Sequence, residues 1–162
     1  MPTPIPSRWA RVSWSVCRFD DVTAAQILHA SSVAIGGRGV LILGPSGAGK
    51  SALALKLMAY GAALVADDQT ALTMSGGGVE VSCPSQAISG LIEARGIGIL
   101  RVTPSGPVPL ALVVDLGRAE TERLPPRRHI SILGYELPLV LRAQNDHLAE
   151  GLLALMTGWR QE

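Results

Sequence analysis

Val40-Leu41-Ile42-Leu43-Gly44-Pro45-Ser46-Gly47-Ala48-Gly49-Lys50-Ser51-Ala52-Leu53-Ala54-Leu55 is the stretch on which the fold turns. A short apolar strand runs into a loop that satisfies G-x-x-x-x-G-K-[ST]. Ala52, Leu53, Leu55, Leu57 and Met58 follow with the period of a buried helix, and Gly61 stands where a helix stops. Strand, glycine-rich loop and helix in that order make a phosphate cradle. The glycines let successive N–H groups curl around oxyanions, and the helix N-terminus adds its positive dipole end. Lys50 is one of only two lysines in the chain, with Lys56, and is placed to offset β/γ-phosphate charge; the Ser51 hydroxyl can ligate magnesium. The nucleotide-binding set is therefore Gly44, Pro45, Ser46, Gly47, Ala48, Gly49, Lys50 and Ser51.

Working outward, the run at 31–35 and the run at 40–43 flank Gly36-Gly37-Arg38-Gly39 as a hairpin, and 62–66 is the next buried strand after the helix. Runs at 70–74 and 79–83 flank Ser75-Gly76-Gly77-Gly78 as a second hairpin, with further strands at 110–116, 129–133 and 137–141. Leu148, Leu152, Leu155, Met156 and Trp159 form the stripe of a closing helix capped by Asn145 or Asp146. Thr23 to Leu28 reads as a helical turn or a strand entry, and residues 1–10, with three prolines, as an irregular arm. The expected class is α/β: a mixed sheet with hairpins and flanking helices.

Length and composition narrow the function. A chain of 162 residues, 48% hydrophobic and 17% charged, suits one domain spanning 1–162. A net charge of +1 and an Arg127-Arg128 pair too small to make a basic groove give no ground for nucleic acid. No apolar run approaches the roughly 20 residues that span a bilayer, and no secretory leader is read, so a protein without membrane attachment, in a reducing cytoplasm, is expected. Cys17 and Cys83 form no C-x-x-C and read as buried, inert thiols.

A phosphate loop names a nucleotide and not a reaction, so the carboxylates matter next. Asp67 and Asp68 follow Leu64-Val65-Ala66 at the end of the strand after the loop's helix, where they would face the phosphate crevice in a magnesium or general-base role. His29, 15 residues before Gly44, could orient phosphate or be structural, and spacing alone does not separate these. Glu93 and Arg95 interrupt an otherwise apolar segment at 91–100; an internal ion pair and a functional role are equally compatible with that placement.

Taken together, His29, the Gly44-to-Ser51 loop, Leu64-Val65-Ala66-Asp67-Asp68 and Leu91-Ile92-Glu93-Ala94-Arg95-Gly96-Ile97-Gly98-Ile99-Leu100 resemble, in order and spacing, the catalytic domain of the bacterial HPr kinase/phosphorylase family. The last segment is similar to the family's L-L-E-I-R-G-L-G-I-I signature. The resemblance covers about residues 25–145 and implies a P-loop kinase core related to phosphoenolpyruvate carboxykinase. It further implies ATP and Mg2+ as cofactors and HPr, or an HPr-like phosphocarrier, as the partner phosphorylated on serine, with a homohexamer as the family's usual assembly. By motif position, Lys50 would bind the transferred phosphate, Ser51 and Glu93 would hold the metal, Asp68 with Asp67 beside it would be the general base, and His29 would contact phosphate. Arg123 in Glu122-Arg123-Leu124 resembles the arginine of the family's [DE]-R-L-G loop.

Departures shape the remaining expectations. The resemblance begins at the kinase core, so a short form without the family's N-terminal domain is expected. His29-Ala30 stands for H-G, Pro125-Pro126 replaces the glycine after E-R-L, and Leu141-Arg142-Ala143-Gln144-Asn145 lacks the second arginine of V-R-P-G-R-N, the motif tied to phosphorolysis. A kinase with weak reverse activity is expected. A small-molecule kinase would need an added polar pocket, which the sequence does not show, and an ATP-sensing regulator would not need Asp68, Glu93 and Arg123.

Overall fold

The turn Gly36-Gly37, with φ of +57° and +78°, closes a two-residue hairpin between β2 (Ser31–Ile35) and β3 (Arg38–Leu43). Because only two residues are needed, β3 begins at Arg38, earlier than the cluster of glycines suggests. This computed structural model describes residues 25–158, and the expectations placed on 1–10, Cys17 and Trp159 lie outside them. After β3 come the phosphate loop and α1 (Lys50–Ala59). Gly61 ends α1 as expected: at φ +100° it donates its N–H to Met58 O while Ala62 N–H reaches Leu57 O, which satisfies two carbonyls of the last turn.

The other elements are β1 (Gln26–Leu28), β4 (Ala63–Ala66), β5 (Thr70–Ser75), β6 (Gly78–Ser82), β7 (Leu91–Ala94), β8 (Gly98–Arg101), β9 (Val108–Ala119), β10 (Arg128–Ile132), β11 (Tyr135–Arg142) and α2 (Leu148–Thr157). Thr23 falls outside the described residues, and Gln26–Leu28 settles as a strand rather than a helical turn. Nine strands share one sheet in the order β1-β5-β6-β9-β3-β2-β4, with the β10–β11 hairpin joined to β9 through β11; β7 and β8 pair apart from it. The β3–β9 and β9–β11 ladders are parallel and the others antiparallel, so the sheet is mixed, as the sequence predicts.

Both faces of the central strands are buried, which is why they read as unbroken apolar runs. In β3, Leu41 enters one core while Val40 and Ile42 enter the other; in β9, Val113 opposes Leu112 and Val114. The first core is closed by Leu72, Val81, Leu137 and Leu139 from the hairpins. The second is closed by Leu53 and Leu57 of α1 and Leu152 and Met156 of α2. Leu57 and Leu152 are almost wholly buried, and truncating either to alanine costs about 2–5 kcal/mol. These two cores fix the strand ends from which the loop and the acids emerge.

Three local readings change. The segment at 91–100 is a hairpin with period-2 burial: Ile92 and Ala94 point inward, while Glu93 and Arg95 are exposed and form no ion pair with each other. Their charges are solvated, so no pairing is required of them. Helix α2 is capped by His147 rather than Asn145 or Asp146, because the Asn145 side-chain oxygen accepts His147 N–H at 3.2 Å and forms the preceding turn. Cys83 is half-buried, with its thiol directed at Ser85 O. No described helix is long and apolar enough to cross a membrane.

Candidate active site

The loop after β3 takes the backbone that its glycines allow. Gly44, Gly47 and Gly49 sit at φ +151°, +83° and +96°, and Gly49 caps α1 without any side-chain hydrogen bond at that end. Lys50, only 7% exposed, is folded back so that Nζ donates to Gly44 O at 2.9 Å and Pro45 O at 3.1 Å. Burial pushes its ammonium below the ordinary lysine value, while the Asp68 and Asp67 carboxylates pull it upward. Both acids therefore act within the field of Lys50.

The two adjacent acids do different things. Asp67 is buried and ties three elements together: Oδ1 accepts Ser51 Oγ of α1 and Ser31 Oγ of β2, each at 2.7 Å, and Oδ2 accepts Glu93 N–H of β7 at 3.2 Å. Asp68 points the other way. Gln69 N–H bonds Asp67 O at 2.8 Å across a three-residue turn with Asp68 at its centre at φ +66°, a conformation that costs energy for a side chain of this kind. The turn leaves Asp68 exposed and pairs its Oδ1 with His29 Nδ1 at 3.0 Å.

Glu93 joins this cluster through its backbone, its own carboxylate being solvent-exposed on the hairpin beside Asp67. Arg123 is placed elsewhere. It lies on the connection from β9 to β10 and, with Arg128, Gln144, Asn145 and His147, lines a groove of about 610 Å³ that has no phosphate-loop residue, Asp67 or Asp68 in its wall. Glu120 organises this connection: its carboxylate accepts Arg128 Nε and Nη2, both at 2.9 Å, and the N–H groups of Thr121 and Glu122, while Gln144 Nε2 bonds its carbonyl at 3.1 Å. The Arg128 hydrogen bonds hold the Glu120 carboxyl below the usual carboxylate range.

Sequence reasoning missed Ser31, Glu120 and Asp115. Ser31 carries no local signal, since its partner lies on another strand. Asp115 did carry one, as an acid ending the apolar run at 110–114.

An oxygen-rich pair formed by a helix-N-terminal hydroxyl and a carboxylate, beside a loop shaped for phosphate, suits a hard divalent cation that keeps water and phosphate oxygens as its other ligands. Among the described residues no cluster of three or more acidic, histidine or cysteine side chains could hold a metal without such partners. Residues 20–105, which contain His29, the loop, both aspartates and Glu93, match the family model of the HPr serine kinase C-terminal domain.

The chain belongs to that family. The HPr kinase/phosphorylase of Bordetella pertussis is 41% identical over 110 residues, 60% of this chain and 35% of that protein. That of Cupriavidus metallidurans is 38% identical over 125 residues, 70% and 38% of the two chains. The chain thus spans little more than a third of each of these two relatives. The HPr(Ser) kinase/phosphatase structure from Coxiella burnetii superposes with a TM-score of 0.68 at 29% identity, covering 82% of this chain and 88% of that one. The family model ends at residue 105, ahead of Arg123.

Proposed function

We propose that this chain is an ATP- and magnesium-dependent protein serine kinase acting on HPr or an HPr-like phosphocarrier in the cytoplasm, built on a P-loop core related to phosphoenolpyruvate carboxykinase. The observation that carries it is the division of labour at Asp67-Asp68: one carboxylate faces inward to the phosphate-loop serine, the other is exposed to solvent and paired with His29.

The chemistry follows from that geometry. Gly44 to Ser51 would cradle the nucleotide phosphates, and Lys50, its Nζ held at the Gly44 and Pro45 carbonyls, would direct its remaining N–H at the phosphoryl oxygens. Asp68 accepts the proton of the acceptor serine as its oxygen bonds to the γ-phosphorus and the bond to ADP breaks. His29, bonded to Asp68 Oδ1, would orient that carboxylate and contact the transferred phosphoryl group. Magnesium would be held by Ser51 and Asp67, with Glu93 on the adjoining hairpin, and supplies offsetting charge at the β- and γ-phosphates. Arg123, on its own loop, would contact the acceptor side.

Reverse phosphorolysis is proposed to be weak. Gln144 stands where the family motif has its second arginine, and its amide is engaged by the Glu120 carbonyl. The deciding experiment incubates the protein with labelled ATP, magnesium and purified HPr and maps phosphoserine by mass spectrometry. Serine phosphorylation lost in Asp68→Asn is expected; an acceptor untouched by the wild-type protein would overturn the assignment.

A further inference from the structure

Strand β9 breaks its register where it passes the phosphate loop. Along β11, Leu141 lies opposite Asp115 and the next residue, Arg142, opposite Ala119, so residues 116–118 bulge from the ladder. On its other side Asp115 is the register partner of Leu43, the last residue before Gly44. Asp115 is fully buried, and both its oxygens are engaged within the bulge: Oδ1 accepts Gly117 N–H at 2.8 Å and Oδ2 accepts Arg118 Nε at 2.9 Å. A buried carboxylate is costly at a strand end that an apolar residue could fill, and bulges commonly re-aim the backbone next to a site.

The bulge is seated on the loop. A methyl built on Gly44 would stand 3.2 Å from Leu116 Cβ, and one built on Gly117 would stand 3.2 Å from Pro45 Cδ. Gly44 and Pro45 are the two residues whose carbonyls hold Lys50 Nζ. Contact is therefore continuous from the buried carboxylate, through the bulge and the loop backbone, to the ammonium. We propose that Asp115 is a positioning residue for Lys50: by folding residues 116–118 against Gly44 and Pro45 it fixes the carbonyls that place the ammonium for nucleotide. Its functional part rests on reading Lys50 as a ligand of the nucleotide phosphates.

Two variants probe the contact from opposite ends. Asp115→Asn replaces one of two buried acceptors by a donor facing Gly117 N–H or Arg118 Nε. Gly117→Ala keeps the Asp115 carboxylate but sets a methyl 3.1 Å from its Oδ1 and 3.2 Å from Pro45 Cδ, so it presses on the contact between bulge and loop; Gly117 has no left-handed φ, so its backbone accepts alanine even if Asp115→Asn fails to fold. Leu137→Ala, in the core on the face of the sheet away from α1, serves as the control for general loosening.

The first readout needs no nucleotide. Lys50 and the exposed Lys56 are the only lysines, so the ratio of their acylation rates by an amine reagent, read by peptide mass spectrometry, reports the Lys50 environment with an internal reference. Both variants should raise the Lys50:Lys56 ratio about threefold or more, while Leu137→Ala should not at comparable loss of Tm. The second readout is ATP affinity by calorimetry, expected to weaken about tenfold in both variants. A ratio unchanged in both variants, a ratio raised equally in Leu137→Ala, or wild-type ATP affinity in both variants overturns the proposal. A shifted ratio in a wild-type background that binds no ATP would instead remove the nucleotide reading and leave the positioning of Lys50 standing.

Discussion

Replacing Asp67 by alanine tests the distinction between the two adjacent acids most directly, because their surroundings predict unequal losses of stability. Asp67→Ala removes the acceptor of three hydrogen bonds and leaves the Ser31 hydroxyl, which is completely buried, without a partner. An orphaned buried hydroxyl costs about 1–3 kcal/mol, and a hydrogen bond to a charged acceptor contributes about 1.5–3 kcal/mol. Ser51 is half-buried and regains some of this from water, so the net loss should be about 3 kcal/mol. For a chain of this size that lowers Tm by about 6–12 °C. Asp68→Ala removes only an exposed pair, with side chains 70% and 51% accessible, and should cost at most about 1 kcal/mol. Urea unfolding of the ligand-free proteins, compared at equal m-value, separates the two. Losses within about 1 kcal/mol of each other would refute the assignment of Asp67 as the buried tie and Asp68 as the outward group.

Other outcomes follow from the same geometry. Lys50→Ala should weaken ATP binding and transfer together, whereas Asp68→Asn should hold affinity within about a few-fold and lower turnover by roughly 10² or more, measured by titration beside a phosphorylation assay. Glu93→Gln should raise the magnesium needed for half-maximal activity and leave Tm nearly unchanged, since the carboxylate is exposed; loss of Tm with unchanged magnesium dependence would make it a structural residue. Lys50, with its pKa below 10.5, binds fewer protons folded than unfolded between its lowered value and 10.5, so wild-type stability gains with rising pH in that window. Lys50→Met should abolish that gain in urea titrations carried through that window. Gln144→Arg should increase pyrophosphate release from serine-phosphorylated carrier; forward and reverse rates already comparable in the wild-type protein would remove the argument from the missing arginine.

How much of this was legible in the sequence depended on how local the cause was. The loop, α1 and its stop at Gly61 were readable because strand, glycines, lysine and helix period lie within one contiguous run. The 91–100 segment misled because its high apolar content suggested burial, whereas two-residue alternation had already sorted Glu93 and Arg95 to the solvent side. Adjacent acids look equivalent in a sequence. What separates Asp67 from Asp68 is a positive φ held by one backbone hydrogen bond, together with partners on β2 and β7 that only the assembled fold supplies. Arg123 shares a short motif with its family but sits beyond the long strand β9, and pairing along β11 sets its groove apart from the loop.

The position of β9 has a consequence for how the chain is made. This strand lies between β6 and β3 in the sheet yet follows both in the sequence, and it begins at Val108, beyond the segment that matches the family model. During synthesis the phosphate loop emerges while the central rung of its sheet is still unmade, and β3 waits as an apolar open edge with Leu41 and Ile42 uncovered. Pairing across so long an intervening chain is slow. A chain cut after residue 105 would keep every motif of the nucleotide site and lose the strand against which that site is built, exposing an edge that invites self-association.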